Sequence, residues 1–361
     1  MRHRRRHSAA TVKLGRLRPT RARILARELL RAGDGMCGRH GAECAPNPSS
    51  GAPYRLHVAK VCSLLRDKPL GGKPMRTSVS ATVAIISLLG SIPAIANAAA
   101  NADPALAAAV AGDWRPAEQK ARDQYRHPVA ALSFWGLRPG MSILEVQPGG
   151  GWWTEILAPY AKATKGKFAM TGADLNDPKL SKESRKARAE TEARFAAKPH
   201  IYGKVNVINW GPESAPLPAG QFDFILTARS VHGWVGGEYG ISVDRAFGEF
   251  SRALKPGGIL AVEQHRADPG KQDPKAADGY VSEDLVINAA KKAGLRLEAR
   301  SEINANPRDT KDHPFGVWTL QPTRQSSKDE GKPAPAGFDR AKYDAIGESD
   351  RMTLKFRKPR A

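Results

Sequence analysis

The twenty residues MSILEVQPGGGWWTEILAPY (141–160) hold the residue types that grip a small ligand by its polar edges. An apolar run reaches Glu145, passes Gln147 and three glycines, Gly149, Gly150 and Gly151, and resumes as an amphipathic helix. Glycine lets a backbone turn sharply and approach a ligand closely, and a helix that starts there offers unpaired N–H groups. Glu145 is placed to accept hydrogen bonds from such a ligand. A second apolar run, GKFAMTG, is followed by Asp174, whose carboxylate suits the two hydroxyls of a ribose. Together these predict a loop for a nucleoside-type ligand, although tight packing of helix on strand would also use glycine here.

Two histidines are the candidates for acid–base chemistry. His232, in TARSVHGWV, follows the fourth apolar run, and an imidazole there is suited to removing a proton from a nucleophile. The alternative is a histidine that packs its loop beside Trp234. His265 follows the fifth run in VEQHRA, with Glu263 on the same alternation. Imidazole and carboxylate also suit divalent ions, but no close-spaced ligand pair is present, and no metal is expected. Asn304, Asn306, Asp309, Asp312, His313, Glu348 and Asp350, with Trp318 as an aromatic wall, are either a lid over an acceptor pocket or Asx-rich loops satisfying their own backbone.

The positions of these residues follow from the order of elements. MSILEV, GKFAMTG, KVNVIN, FDFILT, ILAVEQ, LRLEARSEI and RMTLKF read as seven strands. Helical patterns separate the first six, among them PKLSKESRKARAETEARFAAK, SVDRAFGEFSRALKPGG and SEDLVINAAKKAG, the last with Ser282 as its N-cap and Gly294 at its end. The highly charged helix at 178–198 reads as a solvated face, and SVDRAFGEFSRALKPGG as a helix stopped by a Pro-Gly-Gly turn. One of Trp152 and Trp153 is expected to staple helix to sheet and the other to shield the ligand. Residues 102–137 read as helical with a break at His127-Pro128. The stretch 304–349 is long and irregular, with a flexible surface insertion at 324–337. Alternating strands and helices imply an α/β fold: a doubly wound, seven-stranded, mostly parallel sheet with an antiparallel last strand. Ligands in such sheets bind outside the carboxyl ends of the strands.

Composition divides the chain. Its formal charge is +21, but residues 1–74 hold 17 Lys+Arg against 4 Asp+Glu, while 99–361 hold 39 against 32. All three cysteines fall in the first segment and all seven tryptophans beyond residue 100. Between them, MRTSVSATVAIISLLGSIPAIANAAA (75–100) has a basic start, an apolar core too short to span a bilayer, and small-x-small sites. It reads as a secretory signal over 75–98, with translation starting at Met75 and 1–74 as upstream, disorder-prone sequence. The mature chain would then comprise a helical segment at 99–140 and a main domain at 141–361, located in the periplasm or otherwise exported. No membrane span is expected after cleavage and no nucleic-acid partner is assigned to the arginines. An uncleaved signal that anchors the domain is the other arrangement.

ILEVQPGGGWWTEILAPY resembles the first motif of class I S-adenosylmethionine-dependent methyltransferases, acid-x-Gly-x-Gly-x-Gly, here Glu145, Gln147, Gly149 and Gly151. Gln147 stands where most of that family has its first glycine. ALKPGGILAVEQ and the last strand, RMTLKF, resemble the same Rossmann-like fold. RDQYRHPVAALSFWGLRPGM, SEINANPRDTKDHPFGVWTL and AIGESDRMTLKFRKP resemble a narrower group of predicted exported bacterial methyltransferases. The resemblance spans about 115–358. It implies S-adenosylmethionine as cofactor, with Gly149 and Gly151 along its methionine moiety and Asp174 at the ribose. The NWGPES loop, beginning at Asn209, would lie near the adenine. The implied activity is methyl transfer to a small molecule; the competing function is an exported binding protein that uses the same cleft for another ligand.

Overall fold

The computed structural model describes residues 103–329 and 332–360. The basic segment at 1–74, the signal at 75–98 and the translation start lie outside the described residues.

Seven strands form one sheet in the order β3-β2-β1-β4-β5-β8-β6. They are β1 (Ser142–Val146), β2 (Lys167–Gly172), β3 (Val205–Asn209), β4 (Phe222–Ala228), β5 (Leu254–His265), β6 (Arg296–Ser301) and β8 (Arg351–Arg357). The first five pair in parallel, and β8 runs antiparallel between β5 and β6. This is the doubly wound topology with an antiparallel last strand that the element order predicts. A further short strand, β7 (Pro314–Val317), stands outside the sheet order.

Both faces of the sheet are covered, so its central strands are apolar on both sides. Along β4, Phe224 and Leu226 face one layer and Ile225 faces the other; in β5, Ile259 and Ala261 alternate in the same way with Leu260 and Val262. The first layer holds α1 (Pro104–Ala111), α4 (Pro128–Trp135) and α5 (Thr154–Ala163). In it Trp135 Nε1 donates to Leu354 O at 3.0 Å, which fixes α4 against β8. Between α1 and α4 lie the single turns α2 (Ala117–Lys120) and α3 (Asp123–Arg126). The predicted break at His127-Pro128 is real: His127 has φ 41° and separates α3 from α4.

The opposite layer is built on α9 (Val243–Ala253) and α10 (Glu283–Lys292). Ser282 caps α10 by accepting from Leu285 N, and Gly294 (φ 81°) follows its end. Phe247 and Phe250 of α9 meet Trp234 edge-on or tilted, with centroids 6.3 and 5.5 Å away. Trp234 lies in the short helix α8 (Val231–Val235), so this aromatic cluster also supports the loop that carries His232.

The structure corrects three expectations. Lys-Pro-Gly-Gly (255–258) is not a turn before β5 but part of it, held as a bulge where the register with β4 shifts between Phe222 and Phe224. Gly257 at φ 78° makes that bulge possible. The charged helix α6 (Lys182–Ala196) is not wholly solvated, since it buries Arg188 and Phe195. The irregular 304–349 stretch contains β7 and a helix, α11 (Arg340–Ile346), because Tyr343 and Ile346 find Leu320 and Phe338 to pack on. Within it, residues 332–337 are exposed.

Phe250 is fully buried among Trp210, Trp234 and Phe247. Phe250→Ala is expected to cost about 3–5 kcal/mol in urea unfolding. A loss below ~1 kcal/mol would mean that this cluster does not support the α8 loop.

Candidate active site

The register of the parallel strands sets where the chemistry collects. Glu145 pairs across to Leu226, Val146 to Thr227, and Ala228 to Glu263, so β1, β4 and β5 end level with one another. The loop after each strand therefore opens on one edge of the sheet.

After β1, the glycine loop is tied down on both sides. Gln147 N donates to Thr171 Oγ1 of β2 at 2.8 Å, Gly151 N donates to Pro148 O, and Arg194 Nη2 from α6 donates to Gly150 O. Gly149 (φ 56°) and Gly151 (φ 80°) take left-handed backbone. The three glycines differ in what surrounds them. A side chain at Gly151 would strike Arg194 and Phe195, so its smallness serves internal packing. A Cβ at Gly149 or Gly150 would meet nothing within 4 Å. At Gly150, which lacks even the left-handed requirement, no neighbouring protein atom demands glycine.

Gln147 departs from the glycine pattern and adopts the glycine conformation all the same, at φ 49°. Its buried Oε1 has no hydrogen-bond partner. Glu145 does not face outward as a free acceptor: its Oε2 accepts from Thr154 Oγ1 at 2.6 Å, across the loop. Burial pushes this carboxyl up to about 8, against the smaller opposing pull of Thr154. Trp152 and Trp153 are both buried and pack edge-to-face at 4.7 Å. Trp152 also donates from Nε1 to Gln119 O and lies under the Arg126 guanidinium, 4.8 Å from its ring centre. Trp153 packs on Trp135 with ring centres 5.8 Å apart, so both tryptophans meet the segment before β1.

Asp174 follows β2 and is buried, with Oδ1 accepting from Asn176 N. The 209–214 loop runs beside it, so that a Cβ at Gly211 would come within 3.1 Å of Asp174 Cβ. Asn209 turns elsewhere: its Oδ1 accepts from Arg188 Nη1 of α6 at 3.0 Å.

The loops after β4 and β5 bring His232 and His265 together, their ring centres 5.7 Å apart, with Trp318 standing 5.9 Å from His232. Gln264 decides which proton His232 carries. Its Oε1 accepts from Val231 N and its Nε2 donates to Gly279 O, so the amide cannot turn over. The second Nε2 hydrogen then faces His232 Nδ1 at 3.3 Å, and the neutral ring keeps its proton on Nε2. Burial pushes His232 down to about 4, so the ring is neutral near pH 7. The sequence offered His232 either as a base or as a histidine packing its loop beside Trp234; in this tautomer its Nε2 presents an N–H donor. His265 Nδ1 lies 2.5 Å from Ser349 Oγ, and burial, with the charges of His232 and Arg229, holds it well below the usual histidine range.

The polar stretches expected to form a lid prove chiefly structural. Asp309 accepts from Tyr280 Oη and Asp350 N and contacts His313 Nε2; Asn306 Nδ2 donates to Ile346 O and Glu348 O; Thr310 Oγ1 donates to Asp312 Oδ1. Trp318 reaches His232 as a wall, and Ser349 of GESD reaches His265.

Sequence reading passed over the arginines. Buried Glu348 accepts from Arg122 Nε, Arg126 Nε and Arg351 Nη1, each at 2.8 Å, and Arg351 Nη1 also lies 2.8 Å from Glu263 Oε1. Burial alone would raise the Glu348 carboxyl, but Arg126, Arg351 and Arg122 outweigh it and hold it well below the ordinary range. The motifs RDQYRHP, NANPRD and GESD were visible in the sequence, yet spacing along a chain does not tell which distant segments will meet. Among the described residues no group of three His, Cys, Asp or Glu side chains could hold a metal, and no helix is long and apolar enough to cross a membrane.

Residues 144–262, from β1 to β5, match the methyltransferase domain family. Solved structures of similar fold include an S-adenosylmethionine-dependent methyltransferase from Aquifex aeolicus (22% identity, 58% of this chain and 93% of that one, TM-score 0.37). Two others are the [4+2]-cyclase SpnF (20%, 71% and 92%, TM-score 0.41) and geranyl diphosphate C-methyltransferase from Streptomyces coelicolor A3(2) (16%, 70% and 84%, TM-score 0.42). At these identities the likeness is one of fold alone. No curated protein matches the chain.

Two substitutions test the loop. Because Glu145 is held neutral by burial, its folded form loses stability relative to the unfolded chain as pH rises from about 4.5 to about 8. Thermal melts of Glu145→Gln should match the parent near pH 4 and exceed it at pH 8 to 9 (both about, from the same linkage); parallel curves would show an ionised, paired carboxylate instead. Gln147→Gly should stabilise by about 0.5–1 kcal/mol, since relief of left-handed strain exceeds the entropy cost of glycine; destabilisation in denaturant melts would mean that the glutamine side chain is holding the loop.

The glycine loop and the sheet of this topology thus lie within the stretch, residues 144–262, that matches the methyltransferase domain family.

Proposed function

We propose that the chain, exported under the 75–98 signal, transfers a methyl group from S-adenosylmethionine to a small-molecule acceptor held beside His232 and His265. The observation that carries this reading is the open space over Gly149 and Gly150, on the same sheet edge as the histidine pair. The loop's Gly149 and Gly150 and the unpartnered Gln147 Oε1 would hold the methionine moiety, and Asp174 the ribose.

When bound, the cofactor supplies a methyl carbon on a good leaving group, so the protein's share is alignment and exclusion of water. Held by Gly149, Gly150 and Asp174, its sulfonium would supply the methyl group to the acceptor's nucleophile. His232, with its proton on Nε2, orients the acceptor by donating a hydrogen bond. His265, poised on Ser349 Oγ, is the group left to take the acceptor's proton. Trp318 walls the site.

A binding protein without turnover is the second reading, favoured by Gln147 in place of the first glycine. Calorimetric titration of the mature chain with S-adenosylmethionine and S-adenosylhomocysteine tests the first. Gly150→Val is the control that the structure recommends, because a Cβ there meets no protein atom within 4 Å and its backbone needs no left-handed turn, unlike Gly149→Val. Micromolar binding abolished in Gly150→Val supports the cofactor site; no binding to a folded chain overturns it.

A further inference from the structure

Charge at this edge of the sheet does not balance. Arg122, Arg126 and Arg351 converge on Glu348, and Arg351 also pairs with Glu263. Arg229, directly after β4, is a fourth guanidinium. Its backbone N donates to Glu263 O at 2.7 Å, beside the acid that Arg351 meets, and its charge bears on Arg126, Glu348, His232 and His265. Yet among the described residues no carboxylate lies within ion-pairing distance of it. Four guanidiniums thus face two carboxylates.

Hydrogen bonds are incomplete there, on guanidinium donors and on both oxygens of Glu263. Arg126 is 1% exposed, and its Nη2 has no partner; neither does Arg351 Nε, on a side chain equally buried. A guanidinium does not shed its proton in a protein, so uncompensated burial must be answered by a counter-charge. Burial and the nearby Arg229 charge both weigh against Arg126. Arg229 also occupies left-handed backbone, φ 57°, a conformation that costs a non-glycine residue roughly 1–2 kcal/mol. That turn stands between β4 and α8, the helix that carries His232.

We infer that the acceptor is an anion, a small molecule carrying a carboxylate or phosphate group that binds between Arg229 and the Nε2–H of His232. This rests on the methyltransferase reading for the word acceptor, but the anion site itself stands on the arginines alone. A planar guanidinium favours both oxyanions, which it can hold through two parallel hydrogen bonds.

The test is anion binding to the full mature chain, read by the ring-proton NMR resonances of His232 and His265. Inorganic phosphate and acetate are the probes, in separate titrations, and they show which oxyanion is preferred. Saturable shifts are expected in the parent, weakened at least about tenfold in Arg229→Gln (the loss of a charge-assisted pair) and largely retained in Arg229→Lys. Arg229→Gln should also melt higher than the parent without anion, because a like charge has been removed, and gain less from added phosphate.

Absent shifts, or shifts that Arg229→Gln leaves intact, overturn the inference. S-adenosylhomocysteine separates the two readings. If it expels phosphate competitively, the arginines serve the cofactor's own carboxylate and the acceptor inference fails. If phosphate binds together with it, the acceptor site is supported. If phosphate binds while S-adenosylhomocysteine does not, the anion site survives and only the cofactor reading is lost.

Discussion

The structure around the site depends on one buried carboxylate. Glu348 joins Arg122 and Arg126, from the segment before β1, to Arg351 at the start of β8. Arg351 Nη2 also donates to Tyr125 O, and Arg126 covers the ring of Trp152 just beyond the glycine loop. Three segments far apart in the chain are therefore held by a single acid. Removing a partner from such a buried cluster leaves an unpaired charge, which typically costs about 3–5 kcal/mol. The cluster thus fixes the geometry on which the loop and the last strand both rely.

The same constraint gives the edge its electrostatic character. A sheet whose parallel strands end level collects side chains from several loops at one place, and here that place carries more guanidinium than carboxylate. Gln264 adds a directional element by holding both a backbone donor and a backbone acceptor, which leaves one hydrogen for His232. The site is built to donate: Arg229 and His232 both present N–H groups. This differs from one of the two sequence-based readings of His232, that of a base, and the difference comes from an amide that lies 32 residues away in the chain.

Some features were readable before folding because they are local. Alternating apolar runs and helical periods identified the seven strands of the sheet, since side-chain direction repeats every two residues in a strand and every 3.6 in a helix. Ser282 as a cap and the break at His127-Pro128 follow from backbone chemistry within a few residues. Where the reading failed, a distant partner had intervened. Lys-Pro-Gly-Gly looks like a turn, but pairing with β4 and β8 draws it into β5 as a bulge. Helix α6 looks solvated, but Arg188 finds Asn209 and Ala173 O.

The sequence by itself determined the order of elements, the doubly wound sheet and the place of the glycine loop, because each rests on short-range periodicity and on backbone freedom. Tertiary structure alone decided which glycines face open space, which nitrogen of His232 carries the proton, and that Arg122, Arg126 and Arg351 meet two acids. Charges and hydrogen bonds act over a few ångströms in space, whatever their separation along the chain. Only the folded arrangement of β1, β4, β5 and β8 brings those groups within range.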